Sequence, residues 1–411
     1  MNFSGKRVVV MGLGRFGGGL GVTRWLLDQG AEVLLTDLAS ESELEQQLAE
    51  LGAHDRLQLV LGSHREEDFR NADLVIANPA VGTPWKNQFL LSAWDADIPV
   101  TTEVQLAVER LPSQRIIGVT GSSGKSTTAA MIYEALQFSG VPSLLGGNIG
   151  GSLLHKLDCS SDETVVVLEL SSAMLWWFGN ERGEGWSPHV AVQTNISPNH
   201  LDWHETMESY VLSKENIFAY QNEDDIAIRS EEIGSCTFEI ELIGEHNKLN
   251  AATALAAAMA VGADETKSMQ GIANFRGLPH RLQKVSSFCY NDSKSTTPES
   301  TKLAVDSFEE PSRLHLIVGG YDKNIDLSLI GEQGRRVAGL YAIGETAFKI
   351  LDPVSGGHAE NCGTLDLAVR AAKKRMEQGD ILLLSPGCAS LDQFDNYEQR
   401  GEWFCDLFEN L

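Results

Sequence analysis

Lys125 and Ser126 close the run GVTGSSGKSTT, residues 118 to 128, between an apolar segment and a helix-forming one. Such a loop suits phosphate: backbone amides cradle the oxygens, the lysine neutralises the β- and γ-phosphates of ATP, and the serine hydroxyl can ligate Mg2+. Gly121, Ser122, Ser123, Gly124 and Thr127 complete it, and the strict GxxxxGK[ST] pattern fails at its first position, where Val119 stands. A second cluster, Gly12, Gly14 and Gly17, follows the apolar run RVVVM, with Asp37 twenty residues beyond the third glycine. That is the dinucleotide fingerprint. Its physics is generic, because any nucleotide diphosphate can approach a glycine-lined turn at a helix N-terminus. NAD, another nucleotide diphosphate and a ligand-free βα turn all remain open at this cluster.

Further candidates sit after apolar runs, where a parallel sheet presents its ligand crevice. Glu169 ends TVVVLEL and can hold Mg2+, while NISPNHLDWH adds His200 and Asp202. By spacing alone His200 reads as a structural loop histidine, and Lys214 in YVLSKENIF as an ordinary surface-helix lysine. Downstream, His280 and Arg281 in GLPHRLQ precede NDSKSTTPEST. There Asp292, Lys294 and Thr296 alternate and would share one face if the strand KVSSFCYND continued through them. Lys323 follows LIVGG and Ser390 follows LLLSPG. Each alone fits a solvated surface; their shared position after strands favours a site.

The elements that must position these residues alternate. RVVVMG, AEVLLTD, LQLVLG, DLVIAN and IPVTT alternate with helical stretches, which predicts a parallel sheet covered on both faces. A second α/β unit starts at RIIGVTG, continues through TVVVLEL and HVAVQTNI, and ends in an alanine-rich helix over about 247–261. FRGLPHRLQ carries the next boundary; RLHLIVGG, GLYAIG and DILLLSPG then read as strands and LDLAVRAAKKRME as a helix. The expected architecture is α/β in three domains: a Rossmann-like domain over 1–108, a central phosphate-loop ATPase domain with a mostly parallel sheet over 109–278, and a Rossmann-like C-terminal domain over 279–411.

The 411 residues carry 57 Asp plus Glu against 32 Lys plus Arg, a formal charge of -25. That balance opposes nonspecific binding to nucleic acid or anionic membrane. Six cysteines lack the spacing of a zinc site or a disulfide framework. No window reaches the length of a membrane span. A cytoplasmic protein with reduced thiols is expected, acting as a monomer.

Taken in order, GVTGSSGKSTT, GGNIG, LELSS, NISPNHLDWH, GEHNKLNAA, GLPHRLQ, NDSKSTTPEST, GGYDKNIDL and LLLSPGCASLDQFDNYEQRG resemble the Mur ligase family along nearly the whole chain. The last segments are most similar to its D-glutamate-adding members. The resemblance implies ATP-dependent addition of D-glutamate to UDP-N-acetylmuramoyl-L-alanine through an acyl phosphate, in peptidoglycan precursor synthesis. It gives Lys125, His200, Lys214 and Lys294 catalytic roles, and places Gly12, Gly14, Gly17, Asp37, Asn148 and His200 at the UDP-substrate. Asn247, Asn250, Arg281 and Asp292 join the phosphate loop at ATP. Lys294, Thr296, Lys323, Ser390 and Tyr397 surround the incoming glutamate. Ser126, Glu169, His200 and Lys214, the last as a carbamate, hold two Mg2+ ions. The sequence departs from the family at GSSGK, at AMLWW after ELSS, at Asn78 and Pro79, and at Asn199 before His200. A ligase using L-glutamate or another UDP-muramoyl acceptor is the alternative within the family. An NAD-dependent oxidoreductase leaves the phosphate loop and the third domain unexplained.

Overall fold

The computed structural model describes residues 2–13, 18–179, 185–323, 325–352 and 357–410. Gly14 and Gly17, expected at the UDP-substrate turn, lie outside them. Three sheets account for the alternation. The first holds β1 (Arg7–Met11), β2 (Glu32–Asp37), β3 (Leu57–Leu61), β4 (Leu74–Ala77) and β5 (Val100–Thr101) in the order β3-β2-β1-β4-β5. The second holds β6 (Ile116–Thr120), β7 (Ser143–Gly147), β8 (Val165–Glu169), β9 (Val190–Gln193) and β10 (Ile226–Arg229) in the order β10-β9-β6-β8-β7. All pairs in both are parallel. Both orders reverse direction beside the first strand, at β1/β4 and β6/β9, and loops at such a switch point open a crevice.

The third sheet holds β11 (Gln283–Ser286), β12 (Cys289–Asn291), β13 (Leu314–Gly319), β14 (Gly339–Ile343), β15 (Ala359–Gly363) and β16 (Ile381–Leu384) in the order β11-β12-β16-β13-β14-β15. Here one expectation is corrected. KVSSFCYND is a hairpin of two antiparallel strands, β11 and β12, in place of a single strand. The Phe288 amide donates to Ser286 Oγ at 3.3 Å, a serine-closed turn that reverses the chain. β12 then stops at Asn291, whose Oδ1 accepts from the Ser293 amide. Asp292, Lys294 and Thr296 therefore lie beyond the strand, Lys294 in a turn, and do not share a strand face.

The chain divides into two compact units, Met1–Cys236 with Leu249–Ile272 and Thr237–Lys248 with Ala273–Leu411. In the first, a single apolar core runs from Val8, Leu35 and Ile76 of the first sheet to Val166, Leu168 and Ala191 of the second. Each of the Val, Leu and Ile side chains among these, fully buried, stabilises by about 1.5–3 kcal/mol. In the second unit the period of two sends Leu316 and Val318 to one face of the sheet and Ile317 to the other. No helix among the described residues is long and apolar enough to cross a membrane.

Candidate active site

β6 ends at Thr120 and the helix Lys125–Ser139 starts five residues later, so the loop 121–124 lies at the switch point of the second sheet. Its shape is imposed by the neighbouring loop after β9. The Ser122 amide donates to Asn195 O at 2.9 Å, the Ser123 amide to Asn195 Oδ1 at 3.0 Å, and Thr194 Oγ1 to Ser123 O. Ser122 Oγ meets Tyr210 Oη at 2.7 Å. Asn250 presses on the loop from the helix Glu245–Ala260, its Oδ1 2.8 Å from where a Cβ on Gly124 would sit. Lys125 Nζ folds back to Ser122 O at 3.2 Å, and Thr127 follows half-buried on the first helical turn. At Gly121 φ is 146°, and a Cβ there would collide with Thr194 Oγ1. Gly121→Ala is expected to destabilise the first unit by roughly 2–4 kcal/mol and to weaken ATP-analogue binding at least tenfold. Thermal unfolding and nucleotide titration check it; unchanged binding would contradict the loop assignment.

Behind the loop stands a buried carboxylate. Glu169, the last residue of β8, is 1% exposed. Its Oε2 accepts from Ser126 Oγ at 2.8 Å and its Oε1 from Asn148 Nδ2 at 3.2 Å. Lys214, on the helix Met207–Ala219, is buried with Nζ donating to Gly121 O at 2.8 Å, so the surface-lysine reading fails. Burial, then the charge of Lys125, pushes its amine down to about 7 against the pull of Glu169. His200 stands in the left-handed region at φ 52° before the short helix Leu201–His204. Its ring reaches solvent, yet crowding by protein atoms, then Lys125 and Lys214, outweighs Asp202 and holds it below the usual imidazole range. The Glu169 carboxylate and Ser126 hydroxyl, 2.8 Å apart, are donor types that suit Mg2+, whose shell phosphate oxygens and water would complete; among the described residues no three His, Cys, Asp or Glu side chains gather to hold a metal by themselves.

At the first sheet Gly12 packs against Asn78, with a Cβ on Gly12 lying 3.2 Å from Asn78 Cβ, so the loops after β1 and β4 meet. Asp37 accepts from the Leu13 amide at 2.8 Å and from the Ala39 amide at 2.9 Å, which fixes the glycine turn against the end of β2. Sequence reasoning missed what lies alongside. The rings of Trp85 and Trp176 are 5.4 Å apart, and Trp203 lies 5.5 Å from Trp85 and 6.3 Å from Trp176. These indoles come from the loop after β4, the helix after Glu169 and the helix after His200. The AMLWW departure is one wall of this cluster.

In the second unit Asn247 donates to Ile243 O at 2.7 Å, and His280 is buried against Asn291. Asp292 is buried, accepting from Leu282 N at 3.0 Å, Ser385 Oγ at 2.8 Å and Ser295 Oγ. Burial outweighs these bonds and the charge of Arg281 and pushes its carboxyl up to about 6. The unfolded value is 3.8. The folded unit therefore holds the proton more tightly, and the resulting stability is complete below pH 3.8 and lost as pH rises through 6. Relative to Asp292→Asn, the protein is expected to lose up to roughly 3 kcal/mol between pH 4 and 7. Denaturant unfolding of both proteins across that range checks it, and parallel curves would contradict it.

Lys294 Nζ lies 3.7 Å above the Tyr397 ring centroid, a cation–π contact at the start of the helix Tyr397–Asn410. Ser390 is buried beyond β16, Thr296 is half-buried, and Lys323 is exposed beyond β13. The structure thus brings Lys294 and Tyr397 into contact and leaves Lys323 at the surface.

Comparison with known proteins gives this arrangement a family. Residues 6–102 match the Mur ligase MurD-like N-terminal domain, 119–233 the Mur ligase middle domain, and 280–388 the Mur ligase glutamate ligase domain. A UDP-N-acetylmuramoylalanine--D-glutamate ligase of Koribacter versatilis is 33% identical over 460 residues, covering 100% of this chain and 99% of its own. The enzyme of the same name from Desulfatibacillum aliphaticivorans is 35% identical over 466 residues, with 100% of both chains covered. The chain belongs to the Mur ligase family. A solved MurF ligase from Thermotoga maritima, in complex with ADP, shares the fold at a TM-score of 0.58 and 16% identity, covering 99% of this chain and 95% of that one. This Mur ligase is an ATP-dependent, amide-forming enzyme. The residues that buttress the loop 121–124, Thr194 and Asn195, follow β9 directly; the strand-end rule applied to Glu169 finds them too.

Proposed function

We propose that this chain joins D-glutamate to UDP-N-acetylmuramoyl-L-alanine in the cytoplasm, consuming ATP through an acyl phosphate. The observation that carries the chemistry is the buried Ser126–Glu169 pair, met by the exposed Asn148, beside Lys125 and Lys214. The names of the curated relatives support the substrates. The domain limits 1–108, 109–278 and 279–411 assign the UDP-substrate, ATP and the amino acid to successive sheets.

The acceptor carboxylate attacks the γ-phosphorus, ADP leaves, and the glutamate amine then attacks the acyl carbon. Phosphate departs carrying a carboxylate oxygen, and the amine proton is lost as the amide forms. Lys125 offsets charge on the transferring phosphoryl group. Lys294 faces the incoming carboxylates together with Thr296, Lys323, Ser390 and Tyr397. Asn247, Asn250, Arg281 and Asp292 hold the nucleotide. Gly12, Asp37, Asn148 and His200 contact the UDP-substrate. Mg2+ neutralises the phosphates when bound; Ser126, Glu169, His200 and Lys214 would hold it. Lys214 serves as its carbamate: the neutral amine attacks CO2, a C–N bond forms, a proton leaves to water, and a cation becomes an anionic oxygen donor. The indoles of Trp85, Trp176 and Trp203 favour a second reading on the acceptor side, in which the peptide or sugar differs from the family's usual one.

Acceptor labelled with 18O in its free carboxylate tests the route. One label per released phosphate is expected. Unlabelled phosphate, with amide still formed, would contradict the acyl phosphate.

A further inference from the structure

Arg400 is the largest fully buried side chain among the described residues, 1% exposed on the C-terminal helix of the second unit. Its donors go to carbonyl and hydroxyl oxygens. Nε donates to Ser293 Oγ at 3.0 Å, Nη2 to Ser293 O at 2.8 Å and Nη1 to Cys388 O at 3.1 Å. Ser293 Oγ in turn donates to Tyr397 O at 2.7 Å, and Asn291 Nδ2 donates to Gly401 O at 3.0 Å. One guanidinium therefore ties the turn after β12, which bears Lys294, to the loop after β16, which bears Ser390, and through Ser293 to Tyr397. The loop after β13 closes on the same point. Gly320, at φ 146°, leaves no room for a Cβ between Ala389 O and Arg400 Nη1, and Tyr321 bridges Ala389.

Burying a guanidinium without a bonded carboxylate costs several kcal/mol, which its hydrogen bonds must offset. An apolar side chain of that volume would fill the space without the penalty. What it could not do is fix two loops and a helix start in one register. Lysine could not do so either, since a single ammonium lacks the planar fork that reaches Ser293 and Cys388 together. Burial lowers Arg400 to about 10, so it stays cationic at neutral pH.

We propose that Arg400 is a positioning residue that sets affinity for the incoming amino acid by holding Lys294, Ser390 and Tyr397 in one arrangement. This rests on the amino-acid site proposed above. Amino-acid-dependent phosphate release by the unaltered enzyme tests that site separately.

Steady-state constants for glutamate, ATP and acceptor should be measured for Arg400→Lys, Arg400→Met and Ser293→Ala, each with its unfolding midpoint. Arg400→Lys is expected to raise KM for glutamate about 10- to 100-fold, with KM for ATP and acceptor within about twofold. Ser293→Ala, which removes one acceptor and frees Tyr397 O, should raise the same constant by roughly 3- to 10-fold. If Arg400→Met does not fold, these two milder variants decide the matter. A rise shared equally by all three substrates, or a lowered unfolding midpoint with KM for glutamate unchanged, would overturn the proposal and leave Arg400 structural.

Discussion

Lys125→Ala is expected to lower turnover by about 1,000-fold or more while shifting stability by only about 1 kcal/mol. The asymmetry follows from its surroundings. In the folded protein Nζ makes a 3.2 Å hydrogen bond to Ser122 O and is half-buried, so alanine forfeits little packing. In the proposed reaction it faces phosphates whose charge must be offset before an anionic carboxylate can approach. A second effect acts in the same direction. Lys125 depresses both Lys214 and His200, so its removal lets both rise toward protonation. Neutral Lys214, which the proposed carbamate needs, becomes scarcer, and His200 loses capacity for the metal role proposed for it. ATP turnover and thermal unfolding measured side by side check this, and undiminished turnover would remove the phosphate-loop assignment.

Lys214→Met is expected to lower turnover by a similar factor, about 100- to 1,000-fold, without a matching loss of stability. Lys214 is held at about 7 against 10.5 when exposed. The stability linked to this group is complete only above pH 10.5 and is lost as pH falls through 7, so at neutral pH the unmodified amine is a burden on the fold. Methionine keeps the stem and the volume and removes that burden, leaving Gly121 O short of one partner. An unfolding midpoint at or above that of the parent, in an inactive protein, is the signature of a group kept for chemistry. Supplying 13C-bicarbonate should give a carbamate carbon resonance in the parent and none in the variant. Identical spectra would contradict a carbamate at this position.

The glycine turn before the helix Lys125–Ser139 and the end of β8 at Glu169 were legible because both rest on local rules. Glycines between an apolar strand and a helix mark the loop, and the last residue of a buried strand faces the crevice. Lys214 was illegible from spacing because the buried face of its helix, Tyr210, Ser213, Lys214 and Ile217, is half polar. A helical period is visible only when the inward residues are apolar. Arg400 hid for the same reason, in a helix where charged residues normally point to water. KVSSFCYND was misread because its two serines look like strand positions, and only the Ser286 hydroxyl bond shows the reversal. The indoles of Trp85, Trp176 and Trp203 are up to 118 positions apart in the sequence, and only tertiary packing gathers them. The Mur resemblance alone points to a site at the third sheet, where no local motif pairs Lys294 with Tyr397.

Phosphate release from ATP by the purified enzyme with UDP-N-acetylmuramoyl-L-alanine, comparing D-glutamate, L-glutamate and no amino acid, tests the central claim most directly. Release that requires D-glutamate, with a product heavier by one glutamate less water, is the expected result; release driven by L-glutamate instead would keep the ligase chemistry and overturn the donor. Release that proceeds equally without any amino acid, or no release with either enantiomer, would contradict the central claim.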